Sequence, residues 1–232
     1  MKKNTKKIIS SFLFAGLLCT SINVLSFSAN AASKPIIHNF GLHDPDGANR
    51  YGWMSDVYQF YTNLASTKGT VTNHNYFTSS TLLSSFSNAN YFTIHTHGII
   101  SSSDSSYFAL KCIDSSGNKT SLNKNALNVY SSNAFSNLKV AYIAACESAN
   151  SNHNFASILK NHGAKSTIGY AKSVNTSCNY NTIGAFHLVF CNGNTTVSSA
   201  MSNAIKGTYN KYGKYGNVDS YKIYGSSSIK YN

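Results

Sequence analysis

Short apolar runs alternate along the chain with segments whose apolar residues recur at helical spacing, and Gly, Asn and Ser punctuate the joins. An extended opening, Pro35 to Phe40, gives way to the turn-forming stretch GLHDPDGANR. Trp53, Val57, Phe60, Tyr61 and Leu64 then predict an amphipathic helix from Trp53 to Ala65, its aromatic face turned to the core. A short helix is expected over Ser80 to Phe86. The run ANYFTIHTHGII is short, β-branched and aromatic, and predicts a buried strand ending at His-Gly. YFALKCID and SSGNKT predict a hairpin turning at Ser115 to Asn118, and residues 121–137 a helix and connection. LKVAYIAAC is a second buried strand, this one ending in Cys. Asn154 to His162 should be a helix stopped by Gly163, with AKSTIGYA a further strand. Ile183 to Phe190 and Val197 to Ile205 predict a helical pair broken at Asn192-Gly193-Asn194, and SYKIYG to SIKYN a terminal strand or hairpin. This alternation predicts an α/β sandwich on a mostly parallel sheet flanked by helices.

Composition narrows the class. Of 232 residues 42% are hydrophobic and only 11% charged, with 16 Tyr, 13 Phe and one Trp, which excludes a disordered chain. The net charge of +12 would suggest a polyanionic partner, but the first residues account for part of it. Lys2, Lys3, Lys6 and Lys7 precede an apolar stretch from Ile8 to Phe27 that exits through Ser28-Ala29-Asn30-Ala31-Ala32. That is the pattern of a secretory signal peptide cleaved after Ala31, leaving residues 32–232 as a single secreted domain. An uncleaved anchor is the alternative, since about 20 apolar residues just span a bilayer. Without the leader the charge is +8, and its lysines are scattered, with a loose concentration in GTYNKYGKYGNVDSYKIYG. Nucleic-acid binders gather their charge into a stripe, so no nucleic-acid partner is expected. A loose association of this Lys/Tyr surface with a cell wall or membrane surface stays open. Beyond the leader the cysteines are Cys112, Cys146, Cys178 and Cys191, with no CxxC pair, so neither a zinc site nor a disulfide framework is indicated. Cys178 and Cys191 are nearest in sequence, but sequence does not fix connectivity.

Two strand ends carry the chemistry. Phe92 to Ile94 lead into His95-Thr96-His97-Gly98, and Val140 to Ile143 into Ala144-Ala145-Cys146-Glu147-Ser148. Open α/β sheets bind ligands beyond the carboxyl ends of their strands. If these strands are parallel neighbours, His97 and Cys146 emerge at one edge, as a Cys/His nucleophile pair requires. An imidazole beside a thiol takes its proton or stabilises its charge, and the oxyanion formed on carbonyl attack needs donors already aimed at it. The N–H groups of Gly98 and Cys146 are candidates. Singly, a Cys after a strand is ordinarily a small hydrophobe and a His before Gly a loop residue; the matched pair is more specific. His95 and His97 have no third ligand at a supporting spacing, so no metal and no cofactor is expected.

An apolar strand followed by His-Gly, and downstream another followed by Ala-Cys, resembles the double signature of the caspase-like cysteine peptidases, which include gingipains, clostripain, legumain and CHAT domains. His precedes Cys, the reverse of papain-like enzymes. HGAKSTIGYAKSV and FHLVFCNGNTTVSSAMSNAI are similar to the later blocks of that family, so the resemblance covers residues 36 to about 206. It implies a caspase-like α/β sandwich and an endopeptidase acting on peptide or protein substrates through a thioester. His97 would be base and acid, Cys146 the nucleophile and Gly98 N–H an oxyanion donor. His95, two residues earlier on the same face, is a candidate supporting or substrate contact. So is Tyr170, at the head of the Tyr170–Asn175 loop that corresponds to the pocket-forming segment. Glu147 would orient the site or cap the next helix. Ala144 stands where Arg- or Lys-specific members place an acid, and the only arginine is Arg50, so a charge-based pocket has little to be made from. The alternative is a non-catalytic extracellular adhesion or cell-wall-binding protein on the same fold.

Overall fold

The computed structural model describes residues 34–42 and 69–232; the leader, the rest of the GLHDPDGANR stretch and the Trp53–Ala65 helix lie outside the described residues. Among the described residues the strands are, in chain order, β1 (Ile36–Gly41), β2 (Thr70–His74), β3 (Tyr91–His95), β4 (Gly98–Ile100), β5 (Phe108–Ile113), β6 (Lys119–Asn123), β7 (Val140–Ala144), β8 (Ser166–Tyr170) and β9 (Tyr221–Gly225). The helices are α1 (Ser79–Asn88), α2 (Phe155–Asn161), α3 (Thr176–Phe190) and α4 (Val197–Tyr212). Six strands form one sheet in the order β2-β1-β3-β7-β8-β9, parallel throughout except for β9, which runs antiparallel to β8. Strands β4, β5 and β6 make a separate antiparallel sheet. The mostly parallel α/β architecture expected from the alternation is the one observed.

The central strands are apolar on both faces because both faces are covered. All five residues of β7 and all five of β8 are buried. Tyr91, Tyr142, Ile168 and Tyr170 pack on one side with Ile183, Phe186 and Met201 of α3 and α4. Phe92, Ile94 and Ile143 pack on the other with Phe86 of α1, Phe155 of α2 and Leu110 of the small sheet. Phe86 is fully buried and lies 4.5 Å from Phe92 and 5.7 Å from Phe135, centroid to centroid. Burial of such a side chain stabilises by about 1.5–3 kcal/mol.

Three boundaries differ from the sequence expectation. Helix α3 begins at Thr176 rather than Ile183, because Asn175 caps it through Oδ1, accepting from Cys178 N at 3.2 Å. Its buried Asn179 and Thr182 make the first turns look polar. Helix α4 continues to Tyr212. Residues 121–137, expected to be a helix and connection, contain the end of β6, one 3-10 turn at Lys124–Leu127 and further turns. Asn and Ser are dense there and bond locally to the backbone, as Asn123 does to Asn125 N at 2.8 Å. No disulfide joins the four described cysteines. Cys178 and Cys191 sit at opposite ends of α3, about 20 Å apart at 1.5 Å per residue.

The β1–β2 edge holds an imidazole pair. His38 Nδ1 lies 3.0 Å from His74 Nε2, and the His74 ring stacks on Phe40 with centroids 4.1 Å apart. One ring donates and the other accepts, so the contact holds with both rings neutral. Burial, and then the neighbouring His38, lowers the His74 pKa to about 4; burial also lowers that of His38. Buried His187, bonded to Thr93 Oγ1 at 3.1 Å, shifts the same way. Each folded-state pKa lies below the unfolded value of about 6.5. Their contribution to stability is therefore complete above that pH and is lost progressively as the pH falls toward 4. The urea midpoint is expected to be flat above pH 7 and to fall from about pH 6.5 downward, with a shallower fall in His74→Phe, which keeps the stack on Phe40. A midpoint unchanged down to pH 4.5 would count against neutral rings.

Candidate active site

Strands β3 and β7 are parallel neighbours with His95 opposite Ala144, so the chain leaves both at the same sheet edge. Two residues beyond each of these positions come His97 and Cys146. The turns that carry them touch: a Cβ on Gly98 would overlap the carbonyl oxygen of Cys146 and come 3.0 Å from the Phe108 ring. Only a residue without a side chain allows this approach. The His turn is fixed to β5 by Thr96 Oγ1, which donates to Lys111 O at 2.7 Å, and by Lys111 N, which donates to His97 O at 3.0 Å. His97 is exposed and Cys146 half-buried. Cys146 packs toward the α3 and α4 side of the sheet. His95, with part of its surface open, is crowded enough that burial, and then the nearby His97, draws its pKa down to about 4. It stands beside His97 as a neutral ring at neutral pH.

The turn after the nucleophile candidate is stitched to two strands. Ser148 Oγ, fully buried, donates to Ile143 O at 2.8 Å and accepts from Tyr170 N at 3.1 Å, and Ala149 N donates to Tyr170 O at 2.8 Å. Ser148→Ala would leave a buried carbonyl and a buried N–H each short of a partner, and should cost about 1–3 kcal/mol of unfolding free energy with no change in denaturant m value. A midpoint shift close to zero in urea unfolding would contradict this role.

Glu147 adopts a left-handed backbone, φ 60°, uncommon outside Gly, Asn and Asp. Its N–H donates to Lys172 O at 3.2 Å, its Oε1 accepts from Ser173 Oγ at 3.2 Å, and its Oε2 accepts from Asn150 Nδ2 at 3.3 Å. Oε2 also lies 3.6 Å from Nε2 of buried His153, whose ring stacks on Phe108. Helix α2 is capped by Asn154, so of the two roles considered for Glu147, capping is not the one it occupies. It ties the Cys146 turn to residues 171–175.

That loop reaches the sulfur. Val174 N–H donates to Cys146 Sγ at 3.3 Å, and the thiol donates back to Val174 O at 3.7 Å. Tyr170, a candidate contact from the sequence, is fully buried with its hydroxyl 2.6 Å from that of Tyr142. Burial, with Tyr142, Cys146 and Cys178 nearby, pushes its pKa well up. It supports the thiol region from within the core and presents no surface to a substrate; Lys172 and Ser173 are the exposed residues of this loop. Buried Asn179 donates to Ala144 O at 3.1 Å, holding α3 to the end of β7. Val174, Ser148 and Asn179 were not singled out from the sequence. Val174 acts through its backbone, which has no signature in residue type. Among the described residues no three His, Cys, Asp or Glu side chains gather as metal ligands, and no helix is long and apolar enough to cross a membrane.

No family model and no curated protein matches the sequence. Solved structures do match the fold. The Arg-specific cysteine proteinase gingipain R aligns at 12% identity and TM-score 0.60 over 85% of this chain and 47% of its own. A complex of the pro- and mature domains of the Porphyromonas gingivalis protein aligns at 13% and 0.59 over 84% and 48%. The Saccharomyces cerevisiae separase in its complex with securin aligns at 13% and 0.54 over 82% and 12%. The chain thus spans about half the length of the gingipain chains and a small part of separase. These neighbours are caspase-like cysteine peptidases, and the fold of this chain is caspase-like.

Proposed function

We propose that the chain is a secreted cysteine endopeptidase in which Cys146 is the nucleophile and His97 the general base and acid. The observation that carries this reading is the contact between the two turns: Gly98 lies against the Cys146 carbonyl at the shared edge of β3 and β7. His97 takes the thiol proton, and the thiolate attacks the carbonyl carbon of the scissile peptide bond. The amides of Gly98 and Cys146, brought together by the same contact, are the candidate donors to the oxyanion. His97 then protonates the departing amine, and water releases the acyl group from its thioester. Export rests on the basic, apolar and small-residue pattern of residues 1–31.

The test is digestion of a broad peptide library with identification of the new termini. Cleavage by the parent chain and none by Cys146→Ala supports the proposal. Cleavage that persists in the variant sinks the assignment of Cys146 as nucleophile; no cleavage by either chain, together with retention on cell-wall polymer, sinks the peptidase reading and favours the adhesion one.

A further inference from the structure

The loop that touches the thiol does not hold itself in place. Four hydrogen bonds fasten residues 171–175 to the turn between α4 and β9. Ala171 N donates to Ser220 O at 2.9 Å, Asn175 N to Gly216 O at 3.0 Å, Asn175 Nδ2 to Tyr215 Oη at 3.2 Å, and Asn217 Nδ2 to Ser173 O at 2.9 Å. The last of these lands one residue from Val174, whose N–H points at Cys146 Sγ from 3.3 Å. The turn is itself tightly specified. Gly216 has φ 87°, and a Cβ there would lie 2.8 Å from Cys178 Sγ and 3.0 Å from Asn175 Cβ. Asn217 follows in the left-handed region at φ 56°.

We propose that Asn217, with Tyr215, is a positioning residue for the nucleophile, holding the 171–175 loop so that Val174 N–H stays on the sulfur of Cys146. A backbone N–H bonds more strongly to a thiolate than to a thiol, so a donor held at this position favours the ionised, reactive form. The ionisable groups around the thiol and its loop are His95 at the end of β3 and His97 beyond it, Tyr170 on β8, Glu147 and Lys172 on the flanking turns and Cys178 on α3; the outer turn adds Lys214, Tyr215 and Asp219. Asn217→Gly changes none of them, and Tyr215→Phe removes only the exposed Tyr215 phenol. The inference rests on the nucleophile reading of Cys146, but its test needs no substrate.

The experiment measures the rate of Cys146 alkylation by iodoacetamide against pH, with the site assigned by peptide mapping, in the full chain and two variants. Asn217→Gly keeps the left-handed backbone and removes the donor. Tyr215→Phe removes one acceptor of the clamp at an exposed position. The alkylation midpoint is expected to rise by about one pH unit in Asn217→Gly, a loss of about tenfold in rate below the midpoint, and by a smaller amount in Tyr215→Phe. Midpoints unchanged in folded variants, even with a lowered melting temperature, would show a purely structural tie and overturn the proposal. If Asn217→Gly does not fold, the midpoint of Tyr215→Phe decides alone. A parent chain that alkylates at a depressed midpoint but cleaves no peptide would defeat the peptidase reading while leaving this one standing.

Discussion

Cys146→Ala is expected to lower peptide hydrolysis by about 10⁴-fold or more, the range seen when the nucleophile of a coupled catalytic unit is removed. The melting temperature should change little. The side chain is only half-buried, its sulfur contacts are two weak bonds to the backbone of Val174, and alanine leaves the stitching by Ser148 untouched. His97→Ala should cost a similar factor in rate and, at an exposed position, equally little in stability. The double variant should be scarcely slower than either single one, because a nucleophile without its base and a base without its nucleophile fail at the same step. Additive losses in kcat/KM across the pair would mean that the two residues act independently.

Gly98→Ala should be almost as damaging by another route. The added methyl would collide with the Cys146 carbonyl and press on Phe108, and a backbone atom cannot swing aside as a flexible side chain can. Either the His turn or the Cys turn must move, and a misplacement of about 1 Å between reacting groups is enough to cost about 10²-fold in rate. Overpacking of this kind also destabilises by about 1–3 kcal/mol. Both kcat and the denaturation midpoint should therefore fall. Full activity in Gly98→Ala, measured as kcat on any peptide the parent cleaves, would show that the contact between the turns has no part in the chemistry.

The parts of the molecule that were legible in the sequence are those where one signal dominated. Strands β3 and β7 are buried on both faces, so their runs are apolar apart from Thr93, and the His-Gly and Ala-Cys steps at their ends stood out against them. The start of α3 was hidden because Asn179 and Thr182 are buried polar residues, donating to Ala144 O and Cys178 O, and periodicity reads such positions as solvent-facing. Strand β2 is mostly exposed, with the sequence TVTNH, and gives almost no apolar signal; its place in the sheet comes from pairing with β1. Tyr170 misled for the opposite reason. It heads a loop that does reach the site, but strand alternation turns its ring into the core. The contact of Val174 with the sulfur depends on main-chain position alone, set by partners more than forty residues downstream.

The strand order has a consequence for how the site comes into being. His97 and Cys146 are joined through a parallel pairing between segments 49 residues apart in the chain, and the 171–175 loop is held by residues beyond 214. Contacts of such long sequence separation pay their loop-closure entropy before they return any stability, so they form late and slowly. The helices and the β5–β6 hairpin are built from local contacts and need no such closure. On the proposed nucleophile reading, thiol and imidazole would meet only when little unfolded chain is left within reach of them.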